Sequence, residues 1–331
     1  MKVFVTGGAG YVGSHCVRAL CDAGYDVVVF DNLAKGHRRA VDARATLIEG
    51  DLADAALIDR TLANGKCDAV MHFAAFADVG ESVRRPLDYY RNNVTNTIIL
   101  LEAMRRHGIK RMVFSSTCAT YGTPPAMPIM EEMPQLPINP YGRTKLAIEW
   151  ALRDSGGAWG LGATALRYFN ASGAASDGSI GEDHDPETHL IPLTLQVPLG
   201  QRDCIKIFGL DYATPDGTCI RDYIHVEDLA DVHRIAIESQ QEGEFRYYNV
   251  GTGQGVSVKE IIDVCRAVTG HELPSEPAPR REGDPPELYA DPTKAITELG
   301  WEPKYTDIRR TVETAWNWHR DHPNGFDSDR S

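Results

Sequence analysis

The sequence predicts an α/β fold in which a doubly wound parallel sheet is followed by a smaller, loop-rich C-terminal lobe. Across the first 170 residues, short β-branched runs alternate with helical stretches, and this rhythm is typical of βαβ units. A glycine-rich turn joins the first of these runs to the first helical stretch. Beyond residue 170 the rhythm gives way to segments rich in Gly, Ser, Asp and Pro, which indicate loops.

The predicted elements of the first lobe follow one another in a regular order. We predict buried strands over Val3–Thr6, Tyr25–Phe30, Ala69–Phe73, Arg111–Ser116 and Thr164–Tyr168. We predict helices from the glycine turn through Leu20, from about Leu87 to His107, and from about Tyr141 onwards. Gly24 ends the first helix, because glycine readily adopts the left-handed conformation found at helix C-termini.

The remaining sequence predicts how the chain divides into lobes. A strand and a helix within Arg221–Ile237 are expected to pack back onto the first lobe. The first lobe then covers 1–170 together with 221–240, and the second lobe covers 171–325. The polar segment 326–331 is expected to be a frayed tail.

Composition excludes several classes of partner. The 331 residues carry 47 acidic and 34 basic side chains, so the net charge of −13 disfavours nucleic acid and anionic membranes. No apolar run approaches the ~18 residues of a membrane span, and the apolar start of the chain is too short for a signal peptide. The seven cysteines are scattered without a CxxC pair, which indicates free thiols. We therefore expect a cytoplasmic protein with no metal site.

The glycine-rich turn has the spacing of a dinucleotide-binding fingerprint. TGGAGYVGS places Gly7, Gly10 and Gly13 three residues apart, and Gly8 to Gly13 also matches G-x-G-x-x-G. Such glycines let backbone amides approach a pyrophosphate, which then lies at the positive end of the following helix. The flanking strand and helix, with Asp31 at the end of the next strand, supply the context that the fingerprint requires. We therefore predict a Rossmann-type dinucleotide site, the alternative being a purely structural turn.

Asp31 favours NAD over NADP, because a carboxylate accepts hydrogen bonds from a ribose diol and repels a 2′-phosphate. Four basic side chains nearby are able to hold that phosphate, but we interpret them as a solvated loop: Lys35, His37, Arg38 and Arg39. Asp51-Leu52 follow the third strand and are placed to meet an adenine. For Asp51, capping of the next helix explains the residue nearly as well.

Tyr141 and Lys145 lie one helical turn apart in YGRTK, so their side chains share a face. Tyrosine acts as a base near pH 7 only if its pKa falls by about 3 units, or ~4 kcal/mol. A neighbouring ammonium and a positively charged nicotinamide in a dry cleft supply such stabilisation. Thr117 ends a predicted strand at the edge where open α/β sheets bind ligands, and its hydroxyl is placed to hold the reacting oxygen. We predict that these three residues are catalytic, although YxxxK alone is typical of a solvated helix face.

TGGAGYVGS, the strand ending in SST and the YxxxK pair together resemble the extended short-chain dehydrogenase/reductase family. Six further segments are similar to the UDP-glucose 4-epimerases of this family: VGESV, YYRNNV, YFN, HLIP, DGTCIRDYIHVEDLA and RREGD. The resemblance extends from Met1 to about Asn324, and the last two segments are the most specific. It implies a UDP-hexose substrate, a tightly held NAD and a homodimer formed through the 87–107 and 141–155 helices.

The resemblance also implies which residues touch the two ligands. Those placed to contact NAD, besides the three glycines of the turn, are Tyr11, Val12, Asp31, Asn32, Asp51, Leu52, Phe73, Ala74, Asn92, Tyr141, Lys145 and Phe169. Those placed to contact the UDP-sugar are Thr117, Tyr141, Asn170, His189, Leu190, Phe208, Arg221, Arg281, Asp284 and Leu288. The two arginines in this set can neutralise a diphosphate through forked contacts, which explains how an acidic chain would bind an anionic ligand.

The implied reaction is an NAD-dependent inversion at C4 of the sugar. Ionised Tyr141 removes the proton of the 4-hydroxyl as hydride leaves C4, and the 4-keto sugar turns over before hydride returns to its opposite face. Lys145 lowers the pKa of Tyr141 and holds the nicotinamide ribose, and Thr117 orients O4. A firm hold on the nucleotide and a loose sugar pocket are therefore expected.

The chain departs from the family pattern at four positions. Thr117 replaces a common Ser and keeps the hydroxyl, Ala77 replaces a Lys near NAD, and His189 replaces a common Asn beside the nucleotide. Leu288 occupies the position that controls entry of N-acetylated sugars, and its middle size leaves their acceptance open.

Three alternatives remain. Leu288 and the 173–189 loop are also compatible with epimerisation of UDP-pentoses, UDP-uronates or UDP-N-acetylhexosamines. A nucleotide-sugar 4,6-dehydratase carries Asp-Glu after the Thr, whereas Cys118-Ala119 follow Thr117 here. A non-catalytic NAD-sensing module is disfavoured by the intact catalytic set.

Overall fold

The computed structural model of the chain describes residues 1–281 and 284–326. The strands within these ranges are β1 (Lys2–Thr6), β2 (Asp26–Asp31), β3 (Thr46–Glu49), β4 (Ala69–His72), β5 (Arg111–Thr117), β6 (Gly162–Tyr168), β7 (Asn170–Ser172), β8 (Ile205–Phe208), β9 (Ile220–Arg221), β10 (Tyr223–His225), β11 (Phe245–Val250), β12 (Val256–Ser257), β13 (Ser275–Ala278) and β14 (Glu287–Leu288). The α-helices there are α1 (Tyr11–Asp22), α2 (Ala55–Gly65), α3 (Val79–Arg84), α4 (Pro86–Tyr89), α5 (Asn96–Arg106), α6 (Pro140–Trp159), α7 (Leu190–Leu195), α8 (Val226–Glu238), α9 (Val258–Thr269), α10 (Thr293–Leu299) and α11 (Ile308–Asp321).

Seven parallel strands form the central sheet, in the order β11-β6-β5-β4-β1-β2-β3. The chain runs outwards from β1 through β2 to β3 and then returns to β4 on the other side of β1. The strand order therefore reverses between β1 and β4, and ligands bind at such a point outside the carboxyl ends of the strands. The predicted doubly wound, Rossmann-type sheet is confirmed.

Both faces of the sheet are covered by apolar layers, which explains the continuous β-branched runs of its strands. Alternate side chains of β1 point to opposite faces, so Val5 packs with α1 and α8 while Phe4 packs with α2, α5 and α6. The helix α8 lies directly against α1.

The edge strand β11 comes from a part of the chain that was expected to belong to the second lobe. β11 pairs with β6 in parallel, although the segment returning to the first lobe was expected to end at 240. Its sequence, FRYYNV, mixes polar and aromatic side chains, because an edge strand is paired on one side only and need not be apolar throughout.

The helix predicted over 87–107 is interrupted, since Tyr90–Thr95 forms a π-helical segment between α4 and α5.

The second lobe packs α7, α9 and α11 around a separate apolar cluster and carries short strand pairs. Phe326, which was expected to begin a frayed tail, is buried against Trp318, and its ring stacks on His37 at 5.0 Å. The rest of the expected tail, 327–331, lies outside the described residues. Across the part of the chain that the structure describes, no helix is both long enough and apolar enough to span a bilayer.

Candidate active site

The glycine turn lies at the carboxyl ends of β1 and β4. Gly7 has φ +73°, and a Cβ there would lie 2.5 Å from the backbone nitrogen of Ala74. A Cβ on Gly13 would overlap the carbonyl oxygen of Gly7. Gly10 precedes α1 with no capping side chain, and the first turn of α1 has no acidic residue. The turn therefore leaves an open, positive helix end whose size and charge fit a pyrophosphate.

Asp31 is buried at the carboxyl end of β2 and faces this turn. Its Oδ2 accepts a hydrogen bond from the Ala9 N–H at 3.0 Å, and its Oδ1 accepts one from the Leu33 N–H at 2.8 Å. Burial raises the pKa of Asp31, and these two backbone donors oppose the rise. Each carboxylate oxygen still has a second acceptor position, as a ribose diol requires.

Lys35, Arg38 and Arg39 are exposed, as expected of a solvated loop, whereas His37 is half-buried, and several of these side chains make specific contacts. Lys35 Nζ donates to the Asp185 carbonyl oxygen at 2.6 Å, and His37 Nε2 lies 3.1 Å from the Asp183 carbonyl oxygen. Arg38 pairs with Glu49. Lys35 and His37 therefore tie the cofactor side of the sheet to the loop that precedes α7.

Asp51 follows β3 and lies beside Asn32, which follows β2. The Asn32 side-chain amide donates to its Oδ2 at 2.8 Å, and its Oδ1 accepts from the Ala53 N–H at 2.8 Å. The cap of α2 is Asp54, which accepts from the Leu57 N–H at 2.9 Å. The helix-cap explanation of Asp51 is therefore wrong.

The remaining residues expected to contact NAD differ in burial and in hydrogen-bond partners. The Tyr11 hydroxyl donates to the Gly173 carbonyl oxygen at 2.6 Å. The backbone N–H groups of Phe73 and Ala74 donate to the Thr6 carbonyl oxygen, which holds them beside the glycine turn. Leu52 and Phe169 are buried, Val12 is half-buried, and the Asn92 amide donates to Asn93 Oδ1 at 3.0 Å.

Tyr141 owes its position to the start of α6. Asn139 caps this helix by accepting from the Gly142 N–H at 2.8 Å, and Pro140 occupies its first turn, so Tyr141 lies at the N-terminal end. Tyr141 and Lys145 are both buried, at 9% and 3% exposure. Lys145 Nζ donates to the Ser115 carbonyl oxygen at 2.7 Å and lies 5.9 Å from the centroid of the Tyr141 ring.

Thr117 meets these two residues from the last position of β5. Its Oγ1 accepts from the Ala119 N–H at 3.2 Å, which fixes the hydroxyl at the sheet edge. The Thr117 hydroxyl also forms a hydrogen bond with the Tyr141 side chain. The structure thus brings together all three residues expected to be catalytic.

Burial dominates the electrostatics of this group. It raises the pKa of Tyr141, as does nearby Tyr168, while the hydrogen bond from Thr117 opposes the rise. Burial also lowers the pKa of Lys145 to about 7, against the attraction of Glu149. The expectation that Lys145 and a bound nicotinamide together lower the pKa of Tyr141 stays a prediction.

A buried polar network lies beneath the catalytic group, and the sequence analysis missed it. Glu149 and Arg167 are each 1% exposed and paired at 2.6 Å. Ser116 Oγ donates to Glu149 Oε1 at 2.5 Å, and an Arg167 N–H donates to the Tyr121 hydroxyl at 2.7 Å. A signal was present for Glu149, since it lies one helical turn beyond Lys145 on the same face.

Residues expected at the nucleotide come together from separate stretches of the second lobe. Arg221 on β9 pairs with Asp284, and the Arg281 guanidinium lies 4.3 Å from the centroid of the Phe208 ring. Leu288 is the register partner of Arg221, because β14 and β9 pair in parallel. Nearby, the Asn170 amide donates to the Asp222 carbonyl oxygen at 3.1 Å, which joins β7 to β10.

His189 and Leu190 begin the segment of α7. The His189 imidazole contacts two glutamates, since its Nδ1 lies 2.7 Å from Glu182 Oε1 and 3.1 Å from Glu187 Oε1. Leu190 is half-buried and packs against the apolar cluster of the second lobe. The structure therefore places His189 in a separate polar cluster, which the sequence analysis missed although its glutamates and histidines crowd within eight residues.

Comparisons with known proteins agree with this geometry. A family model described as the NAD-dependent epimerase/dehydratase family matches residues 3–251. A UDP-glucose 4-epimerase of Halalkalibacterium halodurans is 54% identical over 330 residues, covering 99% of this chain and 98% of that protein. A crystal structure of the Brucella ovis UDP-glucose 4-epimerase in complex with NAD is 49% identical, with a TM-score of 0.91 and coverage of 95% of this chain and 97% of that one. For the Bifidobacterium longum enzyme in complex with NAD+ and UDP, the identity is 40%, the TM-score 0.94 and the coverage 98% and 100%.

Proposed function

The chain belongs to the NAD-dependent epimerase/dehydratase family, and we propose that it inverts C4 of a UDP-hexose, interconverting UDP-glucose and UDP-galactose with NAD as cofactor. The observation that carries this proposal is the buried group of Tyr141, Lys145 and Thr117 at the carboxyl end of β5. This group adjoins the crevice of the glycine turn in a chain that matches UDP-glucose 4-epimerases over nearly all of its length. The chain is accordingly an isomerase.

The glycine turn and the neighbouring strand ends fit NAD. The pyrophosphate would lie on the open N-terminus of α1, and Asp31 would accept hydrogen bonds from a ribose. Asn32 and Asp51 would border the adenine, and Lys145 would hold the second ribose. When bound, NAD accepts a hydride from C4 of the sugar and returns it to the opposite face.

Proton transfer falls to Tyr141. Its phenolate takes the proton of the sugar O4 as C4 is oxidised, and the phenol gives it back when C4 is reduced. The Thr117 hydroxyl orients O4 towards the phenol. Because burial raises the pKa of Tyr141, the phenolate needs a cation close to it, and Lys145 is the cation that this chain provides.

The nucleotide is held away from the reacting carbon. Arg221 and Arg281 would neutralise the diphosphate, with Asp284 orienting Arg221 and Phe208 supporting Arg281. A grip on the UDP alone leaves the 4-keto sugar free to turn over before reduction. We propose that the first lobe, including β11, is the cofactor lobe and that the second is the UDP-sugar lobe.

We also propose a homodimer. Large exposed apolar side chains lie on the adjacent helices α3 to α6 and the π-helical segment between α4 and α5: Val83, Leu87, Tyr90, Ile98 and Trp150. A second copy of the chain would cover this face with the same side chains. Light scattering should give twice the chain mass, and Leu87→Glu with Trp150→Glu should give monomers. Leu210→Glu, an exposed apolar site in the other lobe, should stay dimeric.

All seven cysteines are unpaired, which supports a reducing compartment, and we propose the cytoplasm.

The reaction is tested with a panel of UDP-sugars and product analysis. UDP-glucose and UDP-galactose should interconvert, and NADH-like absorbance should appear transiently on mixing. Loss of water across C5–C6 would indicate a 4,6-dehydratase, and binding without absorbance change would indicate an NAD-sensing module. If UDP-pentoses, UDP-uronates or N-acetylated sugars are converted with a higher kcat/KM than UDP-glucose and UDP-galactose, the proposed substrate is wrong.

A further inference from the structure

Four side chains of the loop before α7 converge outside the catalytic group. Glu182, His184, Glu187 and His189 each offer one ligand atom, and these atoms all lie within 4.8 Å of one another. His184 Nδ1 lies 3.1 Å from Glu182 Oε1 and 3.6 Å from Glu187 Oε2. His189 Nδ1 lies 2.7 Å from Glu182 Oε1 and 3.1 Å from Glu187 Oε1.

Two of these atoms are buried without a hydrogen-bond partner of acceptable geometry. They are Glu182 Oε1, on a residue only 4% exposed, and His184 Nδ1. These two atoms lie 3.1 Å apart. Because His189 Nδ1 and His184 Nδ1 approach Glu182 Oε1 at 2.7 and 3.1 Å, the charge of this buried carboxylate is balanced either by protonated imidazoles or by a cation that the carboxylates and imidazoles bind together.

We propose that these four residues bind one Zn²⁺ ion. Ligand atoms about 2.0–2.2 Å from a tetrahedral zinc are separated by about 3.3–3.6 Å. The four histidine–glutamate separations given above, 2.7 to 3.6 Å, lie within a few tenths of an ångström of this range. Two imidazole nitrogens favour zinc over calcium and magnesium, which prefer oxygen ligands. Because four protein ligands leave no open position, the site is structural. The sequence analysis expected no metal, since it considered only cysteine spacing.

The neighbouring residues support the ligands as a metal site requires. Glu187 Oε1 accepts hydrogen bonds from the backbone N–H groups of Thr188 and His189, at 2.6 and 2.7 Å. The edge of the Tyr11 ring packs against His184, with ring centroids 6.1 Å apart. Such contacts fix the orientation of the ligand side chains before metal binds.

The ion would fasten the loop that joins the two ligand sites. On one side of the cluster, Lys35 and His37 hold the backbone of Asp185 and Asp183. On the other side, His189 leads directly into α7. A metal at this point therefore holds the start of α7 in a fixed place relative to the glycine turn.

The test uses the full-length chain with its bound nucleotide, purified after growth with added zinc. Elemental analysis should give about one zinc per chain for the wild type and about a tenth of that for Glu187→Gln and for His184→Gln. His107→Gln is the matched control, because His107 also contacts a carboxylate, that of Asp59 at 3.0 Å, but belongs to no such cluster in the described residues. It should keep its zinc.

A second measurement does not depend on the folding of variants. Wild-type protein stripped by a chelator should take up one Co²⁺ with the visible absorption of a tetrahedral site. Zinc should restore its unfolding temperature and its resistance to proteolysis within 176–189. If the stripped wild type binds no Co²⁺ or Zn²⁺ stoichiometrically, or if His184→Gln retains the wild-type zinc content, the proposal is wrong and the four side chains form an ion-pair network only. Neither result bears on the proposed epimerase reaction, which uses none of the three residues Glu182, His184 and Glu187.

Discussion

Replacing Lys145 by methionine removes a buried ammonium whose pKa is lowered by burial from 10.5 to about 7. The difference of 3.5 units corresponds to ~5 kcal/mol at 1.36 kcal/mol per unit. Between pH 7 and 10.5 the unfolded chain binds the proton more tightly than the folded chain does. The wild type therefore carries the full cost below pH 7 and loses it as the pH rises. Methionine has an unbranched side chain and fills the space without this charge.

The assay is urea unfolding of nucleotide-free protein at a series of pH values. The stability of Lys145→Met relative to the wild type should fall by about 3 kcal/mol between pH 6 and pH 9, because that share of the cost is relieved over the interval. The hydrogen bond to the Ser115 carbonyl is lost at every pH, so it shifts the whole curve and leaves its slope unchanged. Lys304→Met, at an exposed lysine, should show no such slope. A difference between Lys145→Met and the wild type that stays constant from pH 6 to 9 would refute the reasoning.

Three further outcomes are expected. Tyr141→Phe should lower kcat by at least about 10²-fold with NAD still bound, measured by turnover and by bound-nucleotide absorbance, because it removes the proton acceptor. Near wild-type turnover would contradict this role. Arg167→Met should destabilise the fold by about 3–5 kcal/mol in urea, since it leaves the Glu149 carboxylate buried without its ion-pair partner, and a loss below about 1 kcal/mol would contradict the pairing. Gly13→Ala should abolish NAD retention, because its Cβ would overlap the Gly7 carbonyl, and a variant purified with full NAD would show that the turn adapts.

Local sequence patterns predicted most of the strands and helices of the first lobe. The runs Val3–Thr6 and Arg111–Ser116 form strands within one residue of their predicted bounds, because each carries consecutive apolar residues at the centre of a buried parallel strand. The glycine turn was predictable for a similar reason, since its backbone excludes a side chain at Gly7 and Gly13. Whether these and the other expected site residues bind ligand remains a prediction.

What the sequence did not show depends on contacts between distant residues. β11 lacks a β-branched run, and its place beside β6 is fixed by pairing across about 80 residues, which no local pattern encodes. The Arg167–Glu149 pair joins a strand to a helix and becomes visible only when β6 lies under α6. His189 was assigned to the UDP-sugar by resemblance alone, and that assignment stays a prediction, whereas the contacts of its ring with Glu182 and Glu187 had no signal in the resemblance.

Burial acts in opposite directions on the two catalytic groups. It raises the pKa of the Tyr141 phenol and lowers that of the Lys145 ammonium, so in each case it favours the uncharged form. Glu149 is the acidic group that opposes this at Lys145, but its carboxylate is shared with Arg167 and Ser116. A phenolate at Tyr141 would therefore add to the stabilisation of the ammonium, and the ammonium would stabilise the phenolate in return. We therefore expect the Tyr141 phenolate and the Lys145 ammonium to form together. The burial that makes Lys145 costly for the stability of the fold is then also the reason why proton transfer by Tyr141 depends on Lys145.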